Sequence, residues 1–211
     1  MKTVELIELL ARDVPHGWPF RAVFLAAAFG SVAFAGALFF SAIGVRPDLD
    51  HAARTVRFLA KFVVTVPLAI GATGWVMAMA CPGSKPGAWR WLLAAAPIVL
   101  LGAIWCELRL LPPEAWQASM TGHNARFCLM LIPLLAILPL ACLLAALRHG
   151  APTQPGRAGA IAGLAAASIA ATFYAANCDD DSPLFVLLWY PIAMSFVVAA
   201  GYVLGQRLLR W

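Results

Sequence analysis

This 211-residue chain contains five cysteines, and their chemistry limits the possible functions more than that of any other residue type. Thiols can pair as disulfides or bind soft metal ions. Two of them, Cys128 and Cys178, have neighbours in the sequence that could add nitrogen or oxygen ligands, namely His123, Asp179 and Asp180. The simpler interpretation is that cysteine is a small buried hydrophobe and that the acidic run marks an external loop. Residue types alone favour the simpler interpretation and leave a disulfide or metal site open.

Familiar catalytic motifs are absent from the sequence. It contains no His-Glu-x-x-His pair, no glycine-rich phosphate loop, no serine nucleophile elbow and no Cys-x-x-Cys pair. The main ionisable residues of the apolar segments, Glu107 and Arg109, are expected to reach an interface on different helix faces without pairing. Lys61 is expected to snorkel to the same interface. The sequence therefore predicts neither an enzyme nor an ion pathway, and no cofactor is required.

The composition identifies the elements that must position these residues. Of all residues, 63% are hydrophobic and 12% are charged, whereas a soluble domain needs roughly a quarter charged. The chain is therefore an all-α integral membrane protein, and the figures exclude a soluble, disordered or nucleic-acid-binding module. Six apolar runs have the length of about 20 residues that a membrane-spanning helix needs. These predicted spans cover residues 22–44, 58–80, 91–111, 127–147, 158–176 and 184–205. Within the fifth span, Gly159 and Gly163 could pack closely against a neighbouring helix.

The basic residues predict the orientation of the bundle, because Lys and Arg favour the cytoplasmic side. With both termini inside, nine of the 15 basic residues lie on the inner side. The nine are Lys2, Arg12, Arg21, Lys85, Arg90, Arg148, Arg157, Arg207 and Arg210. This orientation puts Cys106, Cys128 and Cys178 toward the oxidising outer compartment of a bacterium. Helix packing could bring the thiols of Cys128 and Cys178 together there.

Residues 1–21 form a short cytoplasmic segment before the 22–211 transmembrane domain. Residues 2–12 have the pattern of an amphipathic helix, with Leu6, Leu9 and Leu10 on its apolar side. That side could lie on lipid, pack on the bundle or bind a soluble partner.

Several short motifs together resemble the NrsF-type anti-sigma factors. They are the opening Met-Lys-Thr-x-x-Leu-Ile-x-x-Leu, the Arg-Pro-Asp-Leu after the first span, the stretch from Cys128 to Pro139 followed by Arg-x-Gly-Ala-Pro-Thr, and residues 177–190. The resemblance covers nearly the whole chain. One departure is that the family often has His before the second Cys and Pro-Glu after it, where this chain has Asn177 and Asp179-Asp180.

The resemblance implies a six-helix protein of the bacterial inner membrane that holds an extracytoplasmic-function sigma factor inactive. It also implies that residues 1–21 bind the sigma factor and that Cys128 and Cys178 sense metal or oxidative stress. A transition-metal ion at these thiols is compatible with this role, and contact with nucleic acid is not expected. The alternatives from other classes are a membrane thiol oxidoreductase and a small transporter or assembly factor.

Overall fold

The computed structural model describes residues 18–81 and 87–210. All regular secondary structure in this part of the chain is helical. Six long helices are joined by loops that contain two short ones. The long helices are α1 (Phe20–Ala42), α3 (Val56–Met79), α4 (Trp89–Leu110), α6 (Ala125–Leu147), α7 (Pro155–Ala175) and α8 (Pro183–Leu208). The short helices are α2 (Leu49–Ala52) and α5 (Pro113–Thr121).

The prediction of six apolar spans is confirmed. Each long helix is long and apolar enough to cross a membrane, and its ends differ from the predicted ones by no more than three residues. Local sequence explains several helix starts. The Thr55 hydroxyl accepts a hydrogen bond from the Phe58 amide at α3, and the Ser182 hydroxyl accepts one from the Leu184 amide at α8. The short helix α5 lies in a loop for which the sequence analysis predicted no helix.

Helix α7 lies at the centre of the bundle. It packs against α1, α3, α6 and α8, and it is rich in Ala and Gly, which let other backbones approach closely. A Cβ atom added to Gly163 would lie 2.6 Å from the Val197 carbonyl oxygen of α8, and one added to Gly159 would collide with the Gly201 carbonyl oxygen. The predicted close packing of this glycine pair is therefore confirmed, and the neighbour is a helix of the same chain.

The bundle has two ends that differ in chemistry. The terminal end contains Trp18 and Arg210, where the described chain begins and ends, together with the end of α3, the start of α4, the end of α6 and the start of α7. The distal end contains the other helix ends, including the start of α6 and the loop between α7 and α8. The predicted amphipathic helix of residues 2–12, with Leu6, Leu9 and Leu10, lies outside the described residues. That helix and the cytoplasmic location of the termini stay predictions.

Candidate functional site

The two predicted sensor thiols lie together at the distal end. Cys128 is in the first turn of α6, and Cys178 follows the end of α7. Both side chains are buried, both are free thiols, and they are close enough to interact electrostatically. Two tyrosines flank them: the ring centroids of Tyr174 and Tyr190 are 6.2 Å apart, and both hydroxyls are near the thiols. The sequence analysis did not single out these tyrosines.

The loop of residues 176–182, here called the acidic loop, contains Cys178 and is hydrogen-bonded to the residues at the start of α6. Asp180 Oδ2 accepts hydrogen bonds from the backbone amides of His123 at 2.9 Å and Asn124 at 2.7 Å. The Asn124 side-chain amide also donates to both Asp179 and Asp180. The two aspartates that could have served as metal ligands are therefore engaged as acceptors that hold the loop on α6.

The predicted accessory ligands are arranged around the loop and not around a common centre. The His123 side chain is exposed, and its Nδ1 is 3.6 Å from Asp180 Oδ1. Within residues 18–81 and 87–210, His, Cys, Asp and Glu side chains nowhere form a group of three or more that could hold a metal ion. A metal ion at Cys128 and Cys178 would thus need ligands from a rearranged loop or from water.

A buried ion pair fastens the acidic loop to α3. Lys61 Nζ is 2.6 Å from Asp181 Oδ1 and donates a hydrogen bond of 2.9 Å to the Cys178 carbonyl oxygen. Arg46 Nη1 donates to the other oxygen of Asp181 at 2.9 Å. The expectation that Lys61 snorkels is wrong, because its side chain is only 1% exposed. The carboxylate and the carbonyl replace the water that the ammonium group would otherwise need.

A second polar contact ties the loop to α4. Glu107 is buried, its Oε1 lies 3.4 Å from Arg57 Nη2, and its Oε2 accepts a hydrogen bond of 3.0 Å from the Ser182 hydroxyl. The expectation that Glu107 reaches the interface is therefore wrong. Arg109 is exposed and lies over the Trp105 ring, as expected of an interfacial cation.

The end of α1 is also joined to the loop. The side-chain amide of Asn177 donates to the Gly44 carbonyl oxygen at 3.0 Å, and the Arg46 amide donates to the Ala176 carbonyl oxygen at 3.2 Å. The acidic loop thus contacts α1, α3, α4 and α6 at one end of the bundle. The lysine within an apolar span was a sequence signal that fits either snorkelling or a buried partner.

Burial also affects the ionisation of Cys178, the thiol of the pair that lies in the acidic loop. Burial raises the pKa of the Cys178 thiol above its usual range, and the Lys61 ammonium group opposes this effect. The hydrogen bond from the Arg46 guanidinium lowers the pKa of Asp48. Because the thiolate is the reactive form of cysteine, Cys178 is unreactive at neutral pH while the loop stays closed. The arrangement is suited to a protected thiol pair rather than to a catalytic nucleophile.

Comparisons with known proteins agree with this architecture. A family model described as "Negative regulator of sigma F" matches residues 10–211. A probable anti-sigma-F factor NrsF of Azospira oryzae is 32% identical over 217 residues, and an anti-sigma-F factor NrsF of Caulobacter vibrioides is 32% identical over 216 residues. In both cases the match covers 100% of each chain. No solved structure matches the chain. The chain belongs to the NrsF family, and the earlier resemblance is confirmed.

Proposed function

We propose that this protein is an anti-sigma factor that holds an extracytoplasmic-function sigma factor at the bacterial inner membrane. Its membership of a family of negative regulators of a sigma factor supports the activity. The six apolar helices support a multi-pass location. The excess of basic residues at the terminal end supports cytoplasmic termini, on the side of the membrane where a sigma factor is found.

The sigma factor binds to the apolar side of residues 1–21, with Leu6, Leu9 and Leu10 as anchors. An amphipathic helix can lay such a face in a groove of a soluble partner. Helix α1 begins at Phe20, near the end of this segment. A change in the position of α1 would therefore alter how the segment is presented.

The signal acts on Cys128 and Cys178 at the distal end. Disulfide formation removes two electrons and two protons from the thiols, and a peroxide that accepts them is reduced to water. Binding of a metal cation instead displaces the two thiol protons and forms two metal–sulfur bonds. The observation that supports this proposal is that both thiols are buried at the distal end, close enough to interact electrostatically, and that Cys178 lies in the acidic loop.

The acidic loop provides the route from the thiols to the sigma-binding segment. Its residues Asn177 and Ala176, just before Cys178, are hydrogen-bonded to Gly44 and Arg46, which follow the end of α1. Helix α1 then extends over 23 residues to Phe20, a distance of about 35 Å at 1.5 Å per residue. A displacement of the loop by oxidation or metal binding would move α1 as a rigid element.

Metal binding at the thiols can supply the free energy that release requires, whereas a disulfide supplies only part of it. Shifting a two-state equilibrium from 1:99 to 99:1 takes about 5.5 kcal/mol. A disulfide contributes about 2–4 kcal/mol, and a structural zinc site contributes about 10–16 kcal/mol before the cost of rearranging its ligands. A metal ion can thus drive nearly complete release, whereas a disulfide alone gives partial release.

The sensor role is tested by transcription from a promoter that depends on the cognate sigma factor, with and without cadmium or peroxide. Cys128→Ser and Cys178→Ser, singly and together, are expected to abolish induction. Cys106→Ser and Cys142→Ser are matched controls, since these thiols lie outside the pair. Induction that survives in the double variant would remove the pair from the mechanism.

The sigma-binding role is tested by affinity capture of the full-length protein from detergent-solubilised membranes. Leu6→Asp combined with Leu9→Asp and Leu10→Asp is expected to abolish recovery of the sigma factor. Glu8→Gln, on the polar side of the same segment, is the control and should retain it. Undiminished recovery by the leucine variant would place the binding surface elsewhere.

A further inference from the structure

A polar cleft opens at the terminal end between the start of α7 and the end of α8. It has a volume of about 340 Å³. Its lining residues are Gln154, Pro155, Gly156, Arg157, Tyr202, Gln206 and Arg210. Arg157 Nη1 donates a hydrogen bond of 2.7 Å to Gln154 Oε1, which orients one guanidinium group at the mouth of the cleft. The cleft therefore presents two arginines and two amide side chains to a ligand.

An apolar groove continues from this cleft along the same two helices. The groove has a volume of about 610 Å³ and shares Tyr202 with the cleft. Its walls are small and apolar residues of α7 and α8, among them Ala160, Leu164, Ala199 and Val203. The hydroxyl of Tyr202 accepts a hydrogen bond from Gln206 at 2.9 Å, so the polar end of this ring faces the cleft. A tyrosine at such a boundary is typical of the membrane interface.

The length of the groove matches one leaflet of a bilayer. From Tyr202 to Pro191, both of which line it, α8 rises about 17 Å at 1.5 Å per residue. Half of a hydrocarbon core of ~30 Å is about 15 Å. A ligand that fills cleft and groove therefore has a polar head at the interface and an apolar chain reaching toward the bilayer midplane.

The charge of the terminal end indicates which charge the polar head group of such a ligand carries. Every acidic residue in the described part of the chain lies at the distal end: Asp48, Asp50, Glu107, Glu114, Asp179, Asp180 and Asp181. The terminal end of the same part has six arginines: Arg21, Arg90, Arg148, Arg157, Arg207 and Arg210. The guanidinium groups at the cleft thus have no described carboxylate beside them, and a phosphate group would complement them.

We propose that the cleft and the groove together bind one anionic phospholipid. Its phosphate lies against Arg157 and Arg210, and one acyl chain lies along α7 and α8 beyond Tyr202. Because α7 is the central helix, which packs against α1, α3, α6 and α8, the lipid stabilises the contact between this helix and α8. This site is independent of the thiol pair at the opposite end.

The test uses the full-length protein in nanodiscs of equal parts phosphatidylglycerol and phosphatidylcholine, with retained lipids counted by native mass spectrometry. Arg157→Gln with Arg210→Gln removes the charges of the cleft. Arg90→Gln with Arg148→Gln is the matched control, with the same loss of charge at the same end. Ala199→Phe fills the groove and leaves both arginines in place.

A contribution of about fivefold from each arginine predicts that the cleft variant retains phosphatidylglycerol about 25-fold less well. The Ala199→Phe variant is expected to lose the same lipid, and the control pair to retain it. Equal loss in the cleft variant and the control pair would overturn the site, because only the general positive charge would then matter. The site would also be overturned if the cleft variant retained the lipid unchanged but lost capture of the sigma factor. That result would indicate that the cleft binds an acidic protein segment.

Discussion

Replacement of Lys61 by Met should release the acidic loop from α3 and expose Cys178. The variant keeps the length of the side chain and removes its charge, which is 2.6 Å from Asp181 Oδ1. Breaking a buried ion pair by removing one partner costs about 3–5 kcal/mol. Here the Asp181 side chain is 19% exposed and still has Arg46 at 2.9 Å, so we expect a smaller effect of about 2–3 kcal/mol on loop closure.

The assay is the rate at which a maleimide labels Cys178, resolved from the other cysteines by peptide mass spectrometry. In the intact protein this side chain is 1% exposed, so labelling requires the loop to open. Since about 1.4 kcal/mol corresponds to a factor of ten, the variant should be labelled about 30- to 150-fold faster. Arg54→Met removes an exposed cation near the start of α3 and serves as the control. Equal labelling rates for Lys61→Met and the intact protein would refute the role of this ion pair in closing the loop.

Three further perturbations test the packing, the protonation and the second polar contact. Gly159→Leu should lower the thermal unfolding temperature, because overpacking costs about 1–3 kcal/mol. Gly102→Ala is the control and should leave this temperature unchanged, since an added Cβ there meets nothing within 4 Å. Equal effects of the two substitutions would contradict the close packing of α7 on α8. Burial raises the pKa of Cys178. The protonated thiol therefore contributes to the stability of the fold below the ordinary thiol pKa of about 8.5, and this contribution is lost as the pH rises toward the folded-state pKa. A pH titration of unfolding should therefore show a decline above about pH 9 that is smaller in Cys178→Ala. Glu107→Leu leaves the Ser182 hydroxyl without its acceptor and should cost about 1–3 kcal/mol in detergent-based unfolding, whereas an unchanged midpoint would exclude a role for this contact.

The six spans could be predicted because their cause is local. A helix that crosses hydrocarbon must satisfy its backbone internally and present about 20 apolar residues, and both requirements are visible in a sequence window. The close packing of α7 was visible for the same reason, since the spacing of Gly159 and Gly163 already defines one helix face. Only their partner, the glycine pair at positions 201 and 205 of α8, required the tertiary structure.

The polar contacts of the distal end could not be predicted, because their partners are far apart in the chain. Lys61 and Asp181 are separated by three long helices, so nothing in the sequence near Lys61 distinguishes a snorkelling lysine from a buried one. The same holds for Glu107, whose acceptor role depends on Ser182. The thiol pair was easier to foresee, since Cys128 begins one span, Cys178 follows another, and both positions fall at one end of an antiparallel bundle.

From the distribution of polar contacts we infer that the acidic loop can open with its polar groups satisfied by water. A buried ion pair is weakly stabilising by itself, because desolvation offsets most of its attraction. When the loop opens, the groups of Lys61, Asp181 and Glu107 regain water, so that opening costs less than exposing an equal area of apolar core. Helices packed through glycine have no comparable alternative, since their backbones are already in contact. The chemical change proposed at Cys178 would therefore act on the part of the described bundle that we expect to open at the lowest cost.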